Sequence, residues 1–189
     1  MIGIFLKYPE PGRVKTRLAA DVGNEKAAEY YRRMIDRVLA AAKATPYEVV
    51  LLCDAFRPRE DYEALFPGYA ITMQSEGDLG KRLSNAFDSL LARHGRVAIV
   101  GSDCVTITPE HYRATHESDA DLVLGPATDG GYYLIGLKRP APRLFEGITW
   151  STDRVLTQTM DRAGGLSTLL LPLLSDVDTL ADLRRSSLE

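Results

Sequence analysis

Apolar residues run along this chain in two alternating rhythms. Ile2 to Leu6 is an unbroken apolar run with the length of a buried strand. From about Asn24 to Ala44, Ala27, Tyr31, Met34, Ile35, Val38, Leu39 and Ala42 recur at helical spacing, with Asn24 as a suitable N-cap. Glu48–Cys53 predicts a second strand, Arg59–Phe66 a short helix closed by Pro67 and Gly68, and Tyr69–Gln74 a third strand. Leu79, Leu83, Phe87, Leu90 and Leu91 mark an amphipathic helix that ends near His94 and Gly95. Arg96–Val100 predicts a fourth strand, and Pro109 opens a helix. Asp121–Leu124 and Tyr132–Leu137 read as strands around the glycine-rich turn Gly125–Gly131. A helix from about Thr152 to Ala163, a strand at Leu169–Leu171 and a helix at Thr179–Arg185 complete the pattern.

Strand and helix alternate through most of the chain. That order predicts an α/β, three-layer αβα fold with a mainly parallel, twisted sheet. No internal repeat or linker-like stretch interrupts it, so residues 1–189 read as a single domain. Ligands of such sheets bind outside the carboxyl ends of the strands, so chemistry is expected just after strands.

Composition narrows the classes. A 189-residue chain with 45% hydrophobic and 26% charged residues folds without disulfide or metal staples. Two cysteines, Cys53 and Cys104, are too few for a disulfide scaffold and fit a reduced, cytoplasmic compartment. The N-terminus has no basic segment ahead of its apolar run, unlike a secretory signal. No apolar stretch approaches the ~20 residues that span a bilayer. A net charge of −3 argues against broad nucleic-acid binding but allows a local basic patch for a phosphorylated small molecule.

Such a patch follows the first strand. Lys7, Arg13, Lys15 and Arg17 lie within one loop, which Pro9 and Pro11 stiffen and Gly12 turns. A stiff basic loop there suits a diphosphate; the plainer reading is a solvated surface loop. The glycines of a Walker loop or a dinucleotide fingerprint are missing. After the fourth strand, Gly101-Ser102-Asp103 presents a carboxylate that suits Mg²⁺ or Mn²⁺ held partly by substrate phosphates, or else a turn cap. Asp178 is a candidate second carboxylate and Asp176 a weaker one; Asp178 or Thr179 alternatively caps the last helix. Gly77, Asp78 and Arg82 sit at a helix N-terminus, where free N–H groups favour anions and where Asp78 as N-cap is the rival reading. Asp129, Gly130, Gly131 and Tyr132 form either an open pocket wall, with Asp129 toward an acceptor hydroxyl, or simply a hairpin turn. His94, His111 and His116 lack metal-site spacing, and Ser151 lacks a nucleophile elbow.

The segments LKYPEPGRVKTRL, GDLGKRL, VGSDC, GPATDGGYYLIGL, ITWST and DVDTLADL, in this order from Leu6 to Leu183, resemble the bacterial DUF2064 family, which is glycosyltransferase-like. The set is similar to nucleotide-diphospho-sugar transferases of the GT-A, Rossmann-like fold, with nucleotidyltransferases such as guanylyltransferases as more distant kin. The resemblance implies a metal-dependent transfer of sugar from a nucleotide-diphospho-sugar to a small-molecule acceptor. The alternatives are nucleotidyl transfer with release of pyrophosphate, or a noncatalytic nucleotide-binding paralogue. It implies Asp103 and Asp178 as ligands of Mg²⁺ or Mn²⁺. Lys7, Gly12, Lys15, Arg17, Gly77, Asp78, Arg82 and Ser102 would then lie along the nucleotide and its diphosphate, with Asp129 at the acceptor. The chain departs from the pattern in three places: the acidic element is reduced to Gly-Ser-Asp, Val105 replaces the usual proline, and the nucleotidyltransferase glycine loop gives way to the basic loop.

Overall fold

The computed structural model describes residues 1–186 and Leu188. One sheet holds β1 (Ile2–Leu6), β2 (Val49–Cys53), β3 (Ala70–Met73), β4 (Val97–Gly101), β5 (Leu122–Pro126), β6 (Tyr132–Leu137) and β7 (Thr168–Leu170), in the order β3-β2-β1-β4-β6-β5-β7. The pairs among β1 to β4 are parallel, as is β5 with β7. Strand β6 is antiparallel to both β4 and β5, so every other strand runs one way. The expected three-layer α/β architecture with a mainly parallel sheet is what the chain adopts.

The apolar runs explain the layering. In β2, Leu51 and Cys53 face one core, while Val50 and Leu52 face the other. Successive side chains alternate across a strand, so a strand buried on both faces must be apolar throughout. One face is covered by α1 (Thr16–Val22), α2 (Asn24–Lys43), α3 (Arg59–Leu65), α5 (Pro109–Glu117) and α7 (Leu180–Arg185), which bury Leu18, Met34, Tyr62, Tyr112 and Leu183. The other is covered by α4 (Leu79–Leu91), a 3-10 turn at Pro142–Phe145 and α6 (Val155–Arg162) around Leu83, Phe87 and Phe145.

Helix α1 is not foreshadowed by the hydrophobic pattern. It has seven residues, and its N-cap, Lys15, is left-handed (φ 47°, ψ 47°) and makes no side-chain cap bond. Gly23 (φ 86°) then turns the chain into α2, a conformation that glycine adopts without steric cost. Helix α6 begins at Val155, after an irregular turn over residues 151–154, rather than at Thr152. Among the described residues, no helix is long and apolar enough to cross a membrane.

The amino ends of the strands are closed by fixed bonds. Arg96, 8% exposed, donates from Nη2 to the Ser118 and Ala120 carbonyls at 2.9 and 2.6 Å. His116 bonds the Tyr112 carbonyl through Nδ1 at 2.9 Å and stacks on Tyr47 at 3.9 Å.

Candidate active site

At the opposite ends of β1 to β4 a cleft of about 400 Å³ opens. It is lined by Leu6 at the end of β1 and Lys7 after it, Asp54 after β2, Gln74 after β3, and Ser102 and Asp103 after β4. Strand β1 lies between β2 and β4. The chain winds outward from β1 in one direction to β3 and then returns to β4 on the other side. That reversal is where open α/β sheets leave room for a ligand.

The basic loop is pinned over this opening. The Lys7 N–H donates to Tyr31 Oη at 3.0 Å and the Tyr8 N–H to Asp54 Oδ1 at 3.2 Å. Arg57 pairs with Glu10 at 2.9 Å, and the Arg13 guanidinium lies 3.7 Å from the Phe56 ring centre. The loop then tightens into Lys15. Its left-handed backbone costs roughly 1–2 kcal/mol for a residue with a Cβ, so neighbouring bonds must hold it there.

Those bonds are ionic. Lys15 Nζ lies 3.0 Å from Asp103 Oδ2 and 2.8 Å from Asp178 Oδ1. The Lys15 side chain is 4% exposed, against 39% and 42% for the two carboxylates. Burial opposes its charge, but the facing carboxylates of Asp103 and Asp178 outweigh burial and hold the ammonium above the ordinary lysine value. Arg17, 77% exposed, reaches Asp178 Oδ2 at 3.4 Å. Asp103 Oδ1 is buried and has no hydrogen-bond partner among the described residues.

Local structure delivers both carboxylates. Asp103 follows the last residues of β4, and the Val177 N–H donates to its carbonyl at 3.1 Å, which ties the 176–178 segment beside it. Thr179 caps α7, and Asp182 closes the capping box by accepting from Thr179 N and Oγ1 at 2.8 and 2.7 Å. The cap therefore needs no help from Asp178, whose carboxylate stays with Lys15 and Arg17. Asp176 joins the acidic group; burial, followed by the Asp103 and Asp129 carboxylates, pushes it up to about 7.

The structure thus brings Lys7, Lys15, Arg17, Arg82, Ser102, Asp103 and Asp178 to one cleft. Ser102 is buried and shares a 2.8 Å bond with Tyr31. Gly12, Gly77 and Asp78 do not line the cleft. Gly77 accepts a bond from Arg82 Nε at 2.8 Å, and Asp78 caps α4 by accepting from the Lys81 N–H at 2.8 Å. The Asp129–Tyr132 turn also stands apart from the cleft lining. Asp129 accepts from the Gly131 N–H at 2.9 Å, and Thr128 bonds the Leu174 carbonyl and Ser175, which places the turn beside the 174–178 segment. Gly130 (φ 85°) leaves no room for a Cβ, which would lie 2.2 Å from the Asp153 carbonyl oxygen. Tyr132 packs against the core beneath α4 and α6. Tyr31, expected only as a buried position of α2, and Gln74, expected only as the end of the third strand beside the Gly77–Arg82 segment, also line the cleft, as does Asp54, which the sequence reading passed over although it immediately follows a strand.

Other chemistries lack their groups. Burial pushes the Cys53 and Cys104 thiols up to about 12, so neither supplies a thiolate. His111 is spent in the α5 capping box.

The model of DUF2064, uncharacterized proteins conserved in bacteria, matches residues 36–152. The chain belongs to that family. This DUF2064 protein is 35% identical to a proposed nucleotide-diphospho-sugar transferase from Desulfovibrio desulfuricans G20, with a TM-score of 0.92 over 96% of this chain and 83% of that one. It is 28% identical over 132 residues to a 2-phospho-L-lactate guanylyltransferase from Methanocorpusculum labreanum. That match takes in 69% of this chain and 57% of the relative, so the chain spans little more than half of that curated protein. Rv0371c from Mycobacterium tuberculosis H37Rv, solved with manganese, shares the fold at a TM-score of 0.60 and 16% identity over 98% of this chain and 96% of that one.

Proposed function

We propose that this DUF2064 protein transfers a sugar from a nucleotide-diphospho-sugar to a small-molecule acceptor, with Mg²⁺ or Mn²⁺ as cofactor. The observation that carries the reading is the Lys15–Asp103–Asp178 triangle at the carboxyl ends of β1 and β4. Cations and paired carboxylates meet there on the wall of a cleft within the size range of small-ligand sites.

The donor set fits a hard divalent cation. Asp103 Oδ1 is a buried, unpartnered oxygen, and Asp178 offers a second carboxylate facing the same point. Among the described residues no group of three or more His, Cys, Asp or Glu converges. Two carboxylates completed by substrate phosphates is the arrangement Mg²⁺ commonly takes. When bound, the metal supplies charge that stabilises a departing diphosphate.

The chain's own residues do the rest. Lys15, Arg17 and Lys7 neutralise the diphosphate as its bond to the sugar breaks, an effect strengthened where water is excluded. Arg82 and Ser102 border the nucleotide. The Ser102 hydroxyl is held by Tyr31, which also anchors the start of the basic loop. Asp129 orients the acceptor hydroxyl or takes its proton from the neighbouring turn.

The 28% identity to a guanylyltransferase favours a second reading, nucleotidyl transfer with release of pyrophosphate. Product analysis separates them. The protein is incubated with Mg²⁺ and either sugar nucleotides or nucleoside triphosphates, with water as surrogate acceptor. Release of nucleoside diphosphate from a sugar nucleotide supports sugar transfer. Pyrophosphate from a triphosphate replaces it with the second reading, and tight binding with neither product makes the protein a noncatalytic nucleotide binder.

A further inference from the structure

The gap between the two candidate metal ligands is filled by a side chain. Lys15 Nζ bonds the facing oxygens, Asp103 Oδ2 and Asp178 Oδ1, at 3.0 and 2.8 Å. A divalent cation bridging these carboxylates needs one oxygen from each, at about 2.0–2.1 Å for Mg²⁺. An ammonium has three donors and no lone pair, so it cannot join a metal's ligands and can only leave or exclude the metal. We propose that Lys15 is a removable internal cation that keeps a bare divalent metal off Asp103 and Asp178, and that a phosphate group of the incoming ligand draws Lys15 away so that metal and ligand enter together. This rests on the metal-dependent reading above.

Charge supports the exclusion. Asp103 and Asp178 are balanced by Lys15 and Arg17, so the four groups sum to zero. A bare dication entering this balanced cluster meets two cations. A metal–diphosphate complex brings its own negative charge and gives Lys15 a new partner. The geometry permits the exchange. The lysine stem is long and flexible, and its two partners are each about two-fifths exposed on the cleft wall. Lys7 and Arg82 line the same cleft, so the anion's arrival point lies close to the ammonium. The arrangement makes metal affinity and ligand affinity mutually dependent.

The test measures Mn²⁺ alone, by the loss of its free-ion electron paramagnetic resonance signal on titration with protein. Wild type is compared with Lys15→Met, with Lys15→Gln as a second variant that keeps a polar end should the first fail to fold, and with Asp178→Asn added to either. The expected result is at least about a tenfold gain in Mn²⁺ affinity on losing Lys15, within the usual range of site-to-site coupling, and loss of that gain when Asp178→Asn is added. If wild type binds Mn²⁺ alone as tightly as both Lys15 variants, and Asp178→Asn weakens it, the metal site stands and the exclusion by Lys15 is overturned. If no form binds Mn²⁺, even with pyrophosphate present, the metal-dependent reading itself fails and takes the inference with it.

Discussion

The two ends of the parallel strands both carry charged groups and use them differently. At the amino ends, Arg96 donates to two main-chain carbonyls and His116 bonds a third. Those acceptors are main-chain groups of α5 and of the short connection from α5 to β5, so the bonds are part of the scaffold. At the carboxyl ends, Lys15, Arg17, Asp103 and Asp178 bond one another across an open cleft. Side-chain ions paired only with side-chain ions can exchange partners when a charged ligand arrives. Charge density alone therefore does not mark a site. What the charges are bonded to, and whether solvent reaches them, does.

Substitutions at the two ends should separate activity from stability. The largest effect is expected for Asp103→Asn, which should lower kcat/KM by about a thousandfold, or roughly 4 kcal/mol, in a chain that still folds but is less stable for the loss of one of the two ion pairs of Lys15. Steady-state kinetics beside thermal unfolding checks this, and a variant with normal turnover removes Asp103 from the chemistry. Next is Arg96→Ala at the other end. Losing two charge-assisted bonds to carbonyls should cost about 3 kcal/mol, or about 6–12 °C in Tm, while kcat/KM of the folded protein stays put. A loss of turnover without loss of stability there would erase the contrast between the ends.

Arg17→Ala tests the outermost cation of the cleft. At 77% exposure and 3.4 Å from Asp178 it contributes little to the fold, so Tm should hold while KM for the donor rises about tenfold, or about 1.4 kcal/mol. A further effect concerns pH. Asp176 titrates near 7 in the folded protein, above the ordinary carboxylate value, chiefly because it is buried. The folded state then keeps a proton that the unfolded chain has already released, so stability falls as pH rises from about 4 to 7 and levels off above. Tm measured across that window should fall further in wild type than in Asp176→Asn; parallel curves would show that the Asp176 carboxyl is not perturbed.

Much of the architecture is legible in residue pattern. The continuous apolar runs Ile2–Leu6 and Val97–Val100 have the length of strands buried on both faces, and the 20-residue α2 shows its buried stripe in the spacing of Tyr31, Met34, Ile35 and Val38. Helix α1 is illegible because it is short and starts at an uncapped, left-handed lysine. The insertion of β6 between β4 and β5 is also hidden. Sequence shows the hairpin, but which edge joins β4 is decided by long-range pairing.

The cleft follows the same division. That Lys15 and Asp103 each lie just beyond a strand is visible in the chain. Their meeting with Asp178 is not, because it depends on the strand order and on the Val177 bond to Asp103. Asp54 and Gln74 obey the same strand-end rule, but each is a single polar residue beside a more heavily charged run, Arg57–Asp61 and Glu76–Arg82, which draws the eye away from them. At Asp78 and Gly130 the structural alternatives read from the sequence are also present, a helix cap and a tight turn.

The central claim is that the charged carboxyl end binds a nucleotide together with a divalent metal. Thermal unfolding of wild type and Asp103→Asn against a panel of sugar nucleotides and nucleoside triphosphates, with and without Mg²⁺ or Mn²⁺, tests it most directly. A ligand in hundredfold excess over its Kd stabilises by about 2.7 kcal/mol. The account predicts a metal-dependent rise in Tm for wild type that Asp103→Asn loses. No shift with any nucleotide, or a shift that Asp103→Asn retains in full, contradicts it.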